Sequence, residues 1–310
     1  MNSLLKKDFD ENGVAILPGF YSSEQIDEVV DSIARRKLER PMNVTVDLLD
    51  TGERSLLGLL SPQEIATRRM KINDLYLDME GVRELALSDR LALILGQLLE
   101  YPPALCNSLY FEKGSQQPPH VDSIYMTPVT ANHLIAIWVA LEDTHVDAGQ
   151  LEYYPGSHKI EPMIFSNGTR HFVPDEMPEW HAYIEAEVAQ HGFTKQVFPA
   201  KKGDVLIWHA NLLHGGSPIA DPSRTRKSLV FHYFSTDDVT GLGMKQCPMS
   251  SGFWIDRPIQ HVPEEAFKRA SAEDAYLARY PDVARAVSEG HFASGLQHYE
   301  LFGKAEGRTI

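Results

Sequence analysis

The segment Gln117-Pro118-Pro119-His120-Val121-Asp122, answered far downstream by His214-Gly215-Gly216-Ser217, constrains this chain more than any other feature. His120 and Asp122 are two residues apart, so on a β-strand both side chains leave the same face. His214 adds a third ligand only if the fold returns it to that place. Two imidazoles and one carboxylate on one side of a metal leave the other side open. That suits non-haem Fe(II), which must also hold a cosubstrate and O2. In a chain with 13 histidines a lone His-x-Asp pair says little. This pair follows a Gly-Ser turn and two prolines, and a His-Gly turn stands where a later strand would end.

His209 competes with His214 for the third position. The two differ by five residues, so in a regular strand they face opposite sides. His214 abuts Gly215-Gly216, which lets backbone and ligand approach closely. We therefore take His214 as the ligand and His209 as packing or support. Asp204, after Gly203, reads as a turn residue. Arg226 lies in Arg224-Thr225-Arg226-Lys227-Ser228-Leu229. Its guanidinium suits two-pronged binding of a carboxylate, the alternative being a solvated basic loop. By period two, Arg226, Ser228, Val230 and His232 share one face.

Around these residues the texture is that of short strands separated by Gly, Pro and Asp turns. Strands are expected near 104–111, at His120, and over 135–141, 149–154, 198–199, 205–209 and 228–235. The count fits a double-sheet jelly roll. Phe9 to Leu17 reads as the entry to a strand. Helices are expected after Ser22-Ser23-Glu24-Gln25, after Ser61-Pro62 and over 78–99. The long stretch 161–196 breaks the strand rhythm, and 175–191 within it reads as a helix of a lid or insert. After Pro263 short helices are expected from Ala270 onward. These readings divide the chain into a β-rich catalytic domain, 1–263, and a small helical module, 264–310.

The 43 acidic residues against 29 basic ones, a net charge of −14, argue against nucleic acid or an anionic membrane as the main partner. The two cysteines, Cys106 and Cys247, form no CxxC and no disulfide framework. The first ten residues are charged and carry no apolar core of a signal peptide, and no apolar run is long enough to span a bilayer. A cytoplasmic protein is the expectation. The triplets Asn43-Val44-Thr45 and Asn167-Gly168-Thr169 match a glycosylation pattern by chance on that reading.

Further motifs occur in order: Phe9-Asp10-Glu11-Asn12-Gly13-Val14 at the start, Trp138-Val139-Ala140-Leu141-Glu142-Asp143, Pro155-Gly156-Ser157-His158-Lys159, and Gly203-Asp204-Val205-Leu206-Ile207-Trp208-His209. Together with the His120 and His214 motifs and Arg226-Lys227, they resemble the phytanoyl-CoA dioxygenase family of Fe(II)- and 2-oxoglutarate-dependent oxygenases, over roughly the first 260 residues. The resemblance implies a double-stranded β-helix (a cupin-like jelly roll) with flanking helices. It implies that iron is bound by His120, Asp122 and His214, and that Arg226 grips 2-oxoglutarate. Asn107, Ser217, Tyr110 and Trp138 are further expected contacts of the cosubstrate. The loop between His214 and Arg226 is slightly longer than the family pattern, which keeps Arg224 as a rival. Halogenating relatives lack the carboxylate that Asp122 supplies here, so the resemblance favours hydroxylation, or a related desaturation or epoxidation.

The implied enzyme is a dioxygenase acting on a small molecule with O2. The competing classes are a cupin-like metal-binding protein without oxygenase activity, which has no need of Arg226, and a scaffold acting through its C-terminal module. That module reads as a packing element or a site of self-association or protein contact. The substrate is not legible from these motifs.

Overall fold

The computed structural model describes residues 3–310. Met1 and Asn2, the start of the stretch read above as lacking a signal peptide, lie outside them. Its strands are β1 Val14–Leu17, β2 Thr45–Leu48, β3 Arg54–Leu56, β4 Met70–Asn73, β5 Pro103–Phe111, β6 Leu134–Ala140, β7 Leu151–Tyr153, β8 Gln196–Phe198, β9 Val205–His209, β10 His214–Gly216, β11 Ser228–Ser235, β12 Lys245–Met249 and β13 Gly252–Asp256.

The chain divides into two compact units. The first runs to Val29 and resumes over Met79–Arg257. Its main sheet has the order β1-β9-β6-β11-β5, with β13 parallel to β5 and paired in turn with β12. A second sheet has the order β10-β7-β8. Consecutive strands of the main sheet up to β5 are antiparallel. The central strand β6, Leu-Ile-Ala-Ile-Trp-Val-Ala, is buried at all seven positions. That explains its unbroken apolar run: both faces of the sheet are covered, so alternation is lost. The helix Asp89–Leu99 packs Leu91, Leu95 and Leu98 inward and lies against β5 and β6. The helix Met177–His191 buries Trp180 and Ile184 against Val121, Ile124 and Leu213, residues beside the expected metal ligands.

The second unit combines Val30–Asp78 with Pro258–Ile310. Its strands β3, β2 and β4 form an antiparallel ladder. The helix Glu264–Arg279 packs on β3 and on the turn 57–59. Arg269 forms an ion pair with the buried Glu64, and Ser61 Oγ donates to Ala293 O at 3.3 Å. The C-terminal segment has a small core of its own, Tyr276, Val283 and Val287, and these upstream contacts add to it.

Two local expectations change. Ser3–Asn12 is a helix, and the strand begins only at Val14. The 156–159 turn supplies the reason. Gly156 N–H donates to Asn12 O and Lys159 Nζ to Glu11 O, both at 2.8 Å, so tertiary donors satisfy the last carbonyls of the helix. The C-terminal helix starts at Glu264, six residues before Ala270, with Glu264 and Glu265 in its first turn complementing the helix dipole.

Candidate metal centre

His120 does not lie on a continuous strand. It makes a single antiparallel bridge with His214 at the start of β10, and Asp122 opens a one-turn 3-10 helix. The same-face relation survives because Val121 is extended, at φ −119° and ψ 141°. The nitrogen and oxygen atoms of His120, Asp122 and His214 come within 4.8 Å of one another. Asp122 Oδ1 is 3.8 Å from His120 Nε2 and 3.6 Å from His214 Nε2. All three residues are buried.

Both imidazoles are oriented from behind. His120 Nδ1 donates to Pro118 O and His214 Nδ1 donates to Leu212 O, each at 2.9 Å. A carbonyl can only accept, so in the neutral rings each Nε2 carries the lone pair that a metal needs. Burial, together with the neighbouring His214, pushes the His120 pKa down to about 4, which keeps the ring neutral. Burial alone would raise the Asp122 carboxyl; the His214 and His232 rings, and a hydrogen bond from His232, outweigh it and hold Asp122 below the usual carboxylate range. Two imidazoles and one carboxylate are a donor set that fits Fe(II).

A cavity of about 60 Å³ opens from this trio. Arg226 lies at its wall, 2% exposed, with its guanidinium carbon 5.6 Å from the centre of the Trp138 ring. One Arg226 nitrogen donates to Gly149 O at 3.0 Å. Arg226 Nε, Trp138 Nε1 and Ser228 Oγ are buried without a hydrogen-bond partner. Each such donor costs about 1–3 kcal/mol unless an acceptor meets it. A carboxylate beside Arg226 would supply such an acceptor, so these residues fit a cosubstrate that carries one. Desolvation lowers the Arg226 pKa to about 10, still cationic at neutral pH.

Of the four residues expected on one face of β11, Arg226, Val230 and His232 line the cavity and Ser228 does not. Arg224 is paired with Asp221 in the loop. Three other expected residues are placed elsewhere. Tyr110 has the opposite parity to Leu109 and Phe111, which line the cavity. Ser217 Oγ donates to Glu152 Oε2 at 2.8 Å. The Asn107 amide meets His232 Nδ1 at 3.0 Å instead of lining the cavity. His209 faces away from the trio, with Nε2 2.9 Å from Asn132 Oδ1 and its ring against His158.

Sequence reasoning missed two side chains. Trp208 Nε1 donates to Asp122 Oδ2 at 2.7 Å, and His232 Nε2 stands 3.4 Å from the same oxygen. At the other side of His120, the Tyr125 ring lies 6.0 Å away and packs on Phe172 of the 161–196 segment. Phe172 N–H donates to Ile124 O at 3.0 Å, tying that segment to the turn holding Asp122.

Comparison with known proteins agrees with this geometry. The family model described as Phytanoyl-CoA dioxygenase (PhyH) matches residues 9–228. A phytanoyl-CoA dioxygenase domain-containing protein 1 homolog of Dictyostelium discoideum is 24% identical over 265 residues, covering 74% of this chain and 90% of that protein. Phytanoyl-CoA dioxygenase 1 of Oryza sativa subsp. japonica is 28% identical over 171 residues, 52% of each chain. Among solved structures, EctD from S. alaskensis with bound Fe superposes with TM-score 0.57 at 18% identity, covering 83% of this chain and 82% of that one. The epimerase SnoN in complex with Fe3+, alpha ketoglutarate and nogalamycin RO gives TM-score 0.54 at 20% identity, covering 82% and 98%. These two likenesses establish the cupin-like fold. No helix among the described residues is long and apolar enough to cross a membrane.

Proposed function

The chain belongs to the phytanoyl-CoA dioxygenase family, and from that premise we propose that it is an Fe(II)- and 2-oxoglutarate-dependent dioxygenase that hydroxylates an aliphatic C–H of a small-molecule, lipid or natural-product substrate. One observation carries the reading. The His120, Asp122 and His214 trio shares a cavity with a buried Arg226 whose Nε has no acceptor. A metal-binding jelly roll without oxygenase activity needs the trio but not the buried cation.

On this reading His120, Asp122 and His214 hold the iron. Arg226 binds the far carboxylate of 2-oxoglutarate, and Trp138 Nε1 offers it a further donor. Iron with the keto acid supplies the activation of O2 and the oxidation of substrate, with release of succinate and CO2. The protein supplies orientation and dryness. Leu109, Phe111, Leu151 and Val230 wall the cavity and keep water from the Arg226 pair. The Nδ1 bonds of His120 and His214 fix the tautomers that ligate. Tyr125, 41% exposed, and Phe172 flank the metal side of the trio and mark where substrate enters.

The test is aerobic turnover with Fe(II) and 2-oxoglutarate against a panel of apolar acids, amino acids and cyclic natural products. Hydroxylation requires succinate release stimulated by one compound, and a product heavier by one oxygen. A product of unchanged mass, or one short of two hydrogens, would replace hydroxylation by epimerisation or desaturation. Succinate release equal to that of Asp122→Ala with every compound would sink the enzymatic reading.

A further inference from the structure

The two groups on Asp122 Oδ2 belong to one row across the sheet. In register, Trp208 of β9 lies opposite Ala136 of β6, Ala136 opposite His232 of β11, and His232 opposite Asn107 of β5. Neighbouring strands are ~4.8 Å apart, so the Trp208 and His232 backbones stand roughly 10 Å apart. Only the methyl group of Ala136, fully buried, lies between them. The two rings close over it to a centroid distance of 6.4 Å at 85°. A larger residue at 136 would fill that space. The β11–β5 register slips between His232 and Tyr233. Such irregularities bend a strand locally and re-aim its side chains.

The result is a ring held at both ends. His232 Nδ1 stands 3.0 Å from Asn107 Oδ1 and Nε2 stands 3.4 Å from Asp122 Oδ2. The carboxylate can only accept, so a neutral ring that donates to it from Nε2 accepts at Nδ1, with the Asn107 amide turned to present its Nδ2–H. Trp208 donates to the same oxygen. Asp122 Oδ1 is left as the oxygen that faces both ligating imidazoles.

We propose that His232 is a positioning residue of the metal centre: with Trp208 it pins Asp122 Oδ2, so that the carboxylate offers Oδ1 alone to the ion. Asn107 fixes the ring, and Ala136 gives it room. The proposal rests on the reading of His120, Asp122 and His214 as a metal site. A carboxylate free at both oxygens swings about its Cβ–Cγ bond and can occupy two coordination positions. Held through Oδ2, it occupies one and keeps another available to an exogenous ligand. Partners behind the ligands of a metal tune affinity by about 10–100-fold.

The experiment titrates Co(II), whose visible spectrum reports coordination, into metal-free full-length protein. The variants are His232→Phe, His232→Gln and His120→Ala. His232→Phe keeps a flat ring and removes the donor; it should bind Co(II) about 10–100-fold more weakly and with an altered spectrum. His232→Gln restores an N–H within reach of Oδ2 and should recover most of the affinity and the wild-type spectrum, which a purely packing role would not produce. Wild-type affinity and spectrum in His232→Phe would overturn the proposal. If that variant does not fold, Asn107→Ala releases the ring without removing it. A several-fold loss of affinity is then expected, and unchanged affinity overturns the proposal. Wild-type binding that is lost in His120→Ala establishes the metal site independently, whereas no Co(II) binding by the wild type would overturn site and proposal together.

Discussion

His120 and His214 are direct antiparallel partners: His120 N–H donates to His214 O at 2.9 Å, and His214 N–H donates to His120 O at 3.0 Å. Residues directly opposite in such a pair send their side chains to the same side. The rings stand 4.4 Å apart, centroid to centroid. Two ligands distant in sequence are thus spaced by backbone hydrogen bonds and not by side-chain packing alone.

Gly215→Ala should therefore damage the metal site without unfolding the chain. A Cβ at Gly215 would stand 2.8 Å from Gln117 O and 3.2 Å from Pro119 N. Both are backbone atoms of the segment leading into His120, so relief comes only by moving that ligand. We expect at least about a tenfold loss of divalent-metal affinity by calorimetry, with an unchanged far-ultraviolet circular dichroism spectrum.

Arg226→Lys should raise the 2-oxoglutarate KM by about 10–100-fold, since a lysine cannot reproduce the planar two-pronged contact. Metal affinity measured without the keto acid should stay at the wild-type value. Trp138→Phe, which loses one unmatched donor and keeps the ring beside Arg226, should give a smaller rise in the same assay. A change in metal affinity in either variant would place these residues in the wrong role.

Acid should destabilise the metal-free protein in part through His209. Burial lowers its pKa from 6.5 to about 4. Between those values the unfolded chain binds the proton and the folded chain does not. Stability is therefore complete above pH 6.5 and is lost as the pH falls toward 4, by on the order of 3 kcal/mol for this group. Urea denaturation from pH 7 to 4.5 should show that slope, flattened but not abolished in His209→Gln, because His120 titrates in the same direction.

Much of the main sheet was legible because strand parity carries it, whereas the same-face relation of His120 and Asp122 holds only because Val121 between them is extended. The period-two pattern of β11 put Arg226, Ser228, Val230 and His232 on one face, and the apolar run 135–141 read as a strand. Parity does not report register. Trp208 and His232 reach Asp122 only because β9 and β11 flank Ala136 of β6. Pairings between residues 72 and 96 apart in sequence leave no local signal. The same limit misassigned the opening segment: the helix Ser3–Asn12 ends in carbonyls capped by Gly156 and Lys159, donors that no reading of residues 9–17 contains. It also separated Asn107, Tyr110 and Ser217 from the cavity, since a motif gives a residue's order along the chain but not which neighbour claims its side chain.

Anaerobic titration with Fe(II) and then 2-oxoglutarate, followed through the visible charge-transfer absorption of the chelate, tests the central claim most directly. The wild type should develop the band, His214→Ala should lose it, and Arg226→Ala should need far more keto acid to reach it. Wild-type protein that binds iron yet shows no band at saturating 2-oxoglutarate would contradict the assignment of this cavity to a keto-acid-dependent oxygenase.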